Sequence, residues 1–94
     1  MKGTEKQVKW AEDIKANLLR TYEAVIPMMP AADAEMMGNV IEMLNAVESA
    51  GDIITAYGDV KFNGDLQHDF GRISFANNYM AQTEPKLLAK FMPV

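Results

Sequence analysis

His68, with Asp65 three residues before it and Asp69 directly after it, is the one point in this chain where an imidazole and carboxylates are neighbours. Residues of this kind can relay protons or hold a metal ion. A metal site needs several ligands converging, and the chain has no second His and no Cys to complete such a set. A lone His beside acids reads as a capping or surface residue. Ser49 and Ser74 could in principle act as nucleophiles, but neither lies in a Gly-x-Ser-x-Gly elbow, and His68 is the sole imidazole base. Adjacent carboxylates such as Glu12 and Asp13 point to different faces of a helix and cannot share general acid and base work. No glycine-rich loop suited to phosphate is present. The expectation is a chain without catalytic residues, metal or cofactor.

Two other groups of residues suit recognition. His68, Arg72, Phe75 and Tyr79 are spaced four, three and four apart, which aligns them on one side of a helix, opposite Leu66, Phe70 and Ile73. Aromatic residues and Arg anchor interfaces. The same stripe would also suit a helix buried on both faces, so it stands either for core or for a partner groove, including the groove of a homodimer. The second group is acidic. From Thr21 to Val60 there are seven acids and no Lys or Arg, so the net charge of −4 divides into +2, −7 and +1 along the chain. Within that stretch Glu35, Glu42, Glu48, Asp52 and Asp59 form either a solvated exterior or a patch for a basic protein partner. Direct nucleic-acid binding would rest on Lys2, Lys6, Lys9 and Arg20 of a Trp10-bearing first helix. Glu5, Glu12 and Asp13 dilute that field, and the acidic balance argues against it.

Helices must position these groups. Thr4 followed by Gln7 forms a capping box, and Val8, Ala11, Ile14, Leu18, Tyr22 and Val25 share one face of a helix that Pro27 ends near Ile26. Trp10 lies at the margin of that face and reads as core-edge packing. A second helix from about Pro30 carries Met36, Met37, Val40, Ile41, Met43, Leu44 and Val47 over half its circumference. That width predicts a central helix, with the first and fourth packed on it. A short third helix spans Ala50 to Tyr57 and closes at Gly58. The apolar period of Leu66, Phe70, Ile73 and Met80 predicts a fourth from about Asp65 to Met80, while Asn63-Gly64 leaves open a short hairpin near 59–68. Thr83 and Pro85 open a last short helix whose Leu87, Leu88 and Phe91 can dock on the core.

The totals bound the rest. Ninety-four residues, 49% of them apolar, fit a single helical domain over 1–94 with a thin core and no disorder. No apolar run is long enough for a membrane span, and the charged opening has no secretory signal, which makes cytoplasm the expected location. Without cysteine, packing or association must stabilise the scaffold. The expected fold class is all-α, a compact bundle of four to five helices.

Thr4-Glu5-Lys6-Gln7 and Trp10-Ala11-Glu12-Asp13-Ile14-Lys15 resemble an opening helix that recurs in small uncharacterised proteins of Gram-positive bacteria, their phages and mobile elements. The resemblance implies no activity. It does imply a mobile-element setting, in which short acidic proteins often inhibit host machinery, anti-CRISPR proteins among them. The function expected from these readings is a non-catalytic protein-interaction module. Its alternatives are an acidic inhibitor blocking the basic nucleic-acid-binding groove of a partner, and a nucleic-acid-binding accessory protein acting through the first helix.

Overall fold

Thr4 Oγ1 accepts from the Gln7 amide at 3.2 Å and Gln7 Oε1 accepts from the Thr4 amide at 3.0 Å, so the capping box forms as written in the sequence. From it runs α1 (Glu5–Val25) in the computed structural model, which describes residues 1–93. Ala11, Ile14, Leu18, Tyr22 and Val25 are its buried face, and Thr21, buried beside them, satisfies its hydroxyl on the Asn17 carbonyl at 2.9 Å. Pro27 has no amide to continue the ladder, and the chain tightens into a 3-10 turn at Ile26–Met28.

Beyond the turn lie α2 (Ala31–Ala46), α3 (Ala50–Tyr57), α4 (Leu66–Thr83) and the single-turn α5 (Pro85–Leu88). Ser49 caps α3 by accepting from the Asp52 amide at 3.2 Å. Asp65 caps α4 by accepting from the amides of Gln67 and His68. The start of the chain is tied to the α2–α3 joint: the Lys2 amide donates to the Glu48 carbonyl, and the Ala50 amide donates to the Lys2 carbonyl at 2.8 Å. This Lys2–Ser49 bridge is the only β pairing among the described residues.

The molecule is an all-α bundle, and α1 is its centre. α3 packs most extensively on α1, α4 lies against both, and α5 closes over α3 and α4. Ala11, Ile14, Leu18, Tyr22 and Val25 of α1, Ala50, Ile53, Ala56 and Tyr57 of α3, Ile73 and Met80 of α4 and Phe91 after α5 form one core, which Met37, Val40 and Leu44 of α2 extend. Phe91 meets Tyr57 edge-on, the ring centroids 5.2 Å apart.

Two expectations are corrected here. The second helix is not central, and neither the third nor the fourth packs on it; α2 touches only α1 and the 3-10 turn. Its apolar arc is wide, yet only Met37, Val40 and Leu44 are buried, and Met36 remains half exposed. The main place against α1 goes instead to α3, where Ala50 is fully buried and Ala56 nearly so; like the fully buried Ala11 of α1, these small side chains suit close approach of backbones. The hairpin near 59–68 does not form either. Val60 and Phe62 are half-buried against the core, and Gly64 takes φ +90° in a turn that delivers the chain directly to the Asp65 cap.

The close packing of α3 on α1 has a measurable consequence. Ile53→Ala should cost about 2–5 kcal/mol of unfolding free energy, as a fully buried isoleucine. Met36→Ala should stay within about 0.5 kcal/mol. Urea unfolding of both variants tests this, and an equal or reversed pair of values would return α2 to the centre.

Candidate functional site

Asp69 is 1% exposed, yet it is an acid on the inner face of α4, in register with Ile73, Ala76 and Met80. A buried carboxylate is tolerated only when its lone pairs are used. Here all sides are used: Arg20 Nη2 of α1 at 3.0 Å, the Asn63 amide at 2.9 Å, the Gly64 amide at 3.1 Å, and His68 Nδ1 at 3.0 Å, which donates in the tautomer protonated there. Burial opposes ionisation of this carboxyl. The Asn63 amide, His68, the Gly64 amide and Arg20 together outweigh burial and hold it below the ordinary aspartate range.

These bonds give Asp69 a structural role. It closes the 60–65 loop and ties α1 to α4. Ser74 lies six residues further along the same helix, on a different side from His68. Among the described residues no three His, Asp or Glu side chains gather as a metal site would require. The buried phenols, by contrast, are held neutral. Burial pushes Tyr22 up to about 12, against the opposing influence of Tyr57 and Asn77. Tyr57 is raised further by burial and by Tyr22, and it donates to Asn77 Oδ1 at 2.7 Å.

With Asp69 turned inward, the stripe beside it faces outward. Phe75 and Tyr79 are 69% and 60% exposed, Arg72 is exposed, and His68 is half-buried through its bond to Asp69. With Phe75, Tyr79 and Arg72 in solvent, the alternative of a helix buried on both faces does not hold. Next to the stripe a groove of about 340 Å³ runs between the end of α3 and α4. Phe75 and Tyr79 of the stripe line it together with Ala56, Val60, Ala76 and Met80; its charged lining is Asp59, Arg72 and Glu84. Asp59, read in the sequence as part of the acidic middle, thus joins the aromatic stripe.

The remaining acids do not gather. Glu35 and Glu42 are exposed on the outer side of α2. Glu48 lies 3.9 Å from Lys2 and Asp52 lies 2.8 Å from Lys90, so cations from both ends of the chain neutralise the α2–α3 joint. Two of the four cations considered for nucleic acid, Lys2 and Arg20, are engaged with Glu48 and Asp69 in the same way. Trp10 is half exposed on the flank of α1, a more open position than core-edge packing.

The roles of Asp69 and Arg20 were the ones missed from sequence. One signal was available: Asp69 falls at apolar positions of the helical period, which marks an acid that must find partners. Nothing local named Arg20, forty-nine residues away. Compared with protein-family models, curated proteins and solved structures, the chain matches none.

The Asp69 cluster makes stability depend on pH with a definite sign. Because the folded carboxyl titrates below the ordinary value of 3.8, its contribution is complete above that value. It disappears as pH falls through the lower folded value. Thermal unfolding of Asp69→Asn should show a lower Tm than the parent at pH 7, with the gap narrowing in acid. A gap that is constant with pH would mean that the charge on Asp69 contributes nothing.

Proposed function

We propose that this chain is a non-catalytic protein-interaction module that docks through the outer face of α4. The observation that carries this is the exposure of Phe75 and Tyr79 in line with Arg72 on the wall of the α3–α4 groove. Covering a large apolar side chain is worth about 1.5–3 kcal/mol, so two such rings left in water on one stripe supply a strong gradient for association. Aromatic residues and Arg are also the types that dominate binding energy at interfaces. Isolated exposed apolar side chains are ordinary; an aligned pair next to a groove is less so.

The acidic-inhibitor reading has a smaller surface to work with. Neutralisation at Glu48 and Asp52 leaves Glu35 and Glu42 as the aligned exposed acids, on α2. Affinity capture from the native host separates the two readings. Phe75→Ser with Tyr79→Ser should lose the captured protein while Glu35→Lys with Glu42→Lys retains it, both variants being checked for helical content by circular dichroism. The opposite pattern would transfer the function to the acidic side of α2.

A further inference from the structure

We infer that Asn63 is a site of covalent self-modification, kept silent by the Asp69 carboxylate in the folded chain and exposed to reaction when the 60–65 loop lets go of that carboxylate. Asparagine is among the least durable side chains, and a following glycine removes the main obstacle to its loss, a side chain crowding the next nitrogen. Asn63 and Gly64 are both exposed, and a Cβ built on Gly64 would meet nothing nearer than Arg20 Nη1 at 3.8 Å. Crowding therefore does not protect the pair. The step needs only solvent water. The Gly64 nitrogen gives up its proton and bonds to Asn63 Cγ; the Cγ–Nδ2 bond breaks, and Nδ2 leaves with that proton as ammonia. Water then opens the succinimide ring. Addition at Cγ gives aspartate at position 63, and addition at the main-chain carbonyl gives isoaspartate, whose backbone runs through Cβ and Cγ.

Hydrogen bonds in the loop decide when this happens. The Gly64 N–H, which must lose its proton, donates to Asp69 Oδ2 at 3.1 Å, and an amide anion is disfavoured directly against a carboxylate. Asp69 is also a poor base for that proton, because its donors hold it below the ordinary aspartate range. Asn63 Oδ1 is tethered too, accepting from the Asp65 amide at 2.8 Å. Reaction thus waits for the Gly64 amide to leave Asp69, a local opening of an exposed loop. The product then bears on the fold. The Asn63 and Gly64 amides reach the two oxygens of one carboxylate, at 2.9 and 3.1 Å. Isoaspartate places an extra carbon between these two nitrogens and spoils that fit, so the loop cannot return to Asp69. Aspartate leaves the backbone, and with it both bonds, as they were.

Peptide mapping of the chain aged in mild alkali, which separates aspartate from isoaspartate at position 63, tests the inference. The folded parent should react at least about tenfold more slowly than the same chain in urea at the same pH. Asp69→Ala, checked for helical content by circular dichroism, should come within about threefold of the urea rate. Ile53→Ala loses core packing but keeps the carboxylate, and should stay near the parent rate when each is held the same interval below its own Tm. The isoaspartyl chain, isolated by ion exchange, should have a lower Tm than both the parent and Asn63→Asp. That measurement, with the comparison of folded and urea-unfolded parent, decides the case if Asp69→Ala does not fold. Equal rates in folded and unfolded parent overturn the inference, as does an unfolded chain that leaves Asn63 intact. So does an acceleration as large in Ile53→Ala as in Asp69→Ala, or an isoaspartyl chain as stable as Asn63→Asp.

Discussion

The Asp69 carboxylate is the constraint on which the arrangement of this molecule depends. A negative charge taken out of water must be met by donors, and the four found here come from three different parts of the chain: α1, the 60–65 loop and α4 itself. Satisfying it fixes the position of α4 against α1 and, with that, the rotation of α4 about its own axis. Once Asp69, Ile73 and Met80 point inward, Arg72, Phe75 and Tyr79 must point outward, because a helix of 3.6 residues per turn cannot bury both sets against a single layer of neighbours. The exposed aromatic face thus follows from where the buried charge finds its partners. The turn at Gly64 belongs to the same unit, since its positive φ brings the Asn63 and Gly64 amides to bear on one carboxylate.

A second constraint is the thinness of the core. A chain of this length buries only somewhat over half the surface it exposes when unfolded, so each helix competes for the few positions next to α1. Small residues decide that competition. Ala11 and Ala50, both fully buried, suit a close fit between α1 and α3, and Tyr57 extends from α3 to meet Asn77 and Phe91, joining α3, α4 and the end of the chain. α2, rich in long flexible methionines, is left on the outside with part of its apolar arc uncovered. A similar consideration applies to charge. The acidic stretch is continuous along the chain but is divided in space, because Lys2 and Lys90 arrive from opposite ends to pair with Glu48 and Asp52. What remains is a neutral joint at one edge, an acidic outer side on α2, and an aromatic side on α4.

The sequence by itself determined the helices and their ends. Thr4 with Gln7, Pro27, Ser49 and Asp65 act on amides or torsions within a few residues, so their effect is readable without knowing the fold, and the four-three-four alignment of His68, Arg72, Phe75 and Tyr79 follows from helical period alone. Only the tertiary structure decided which helix is central, which side of α4 is covered, and that Arg20 reaches Asp69 while the acids of the middle separate. Those outcomes depend on contacts between residues tens of positions apart. Each was set by competition for limited space and for charge partners, and a local pattern such as the broad apolar arc of α2 or the run of acids carries no information about the neighbour that wins.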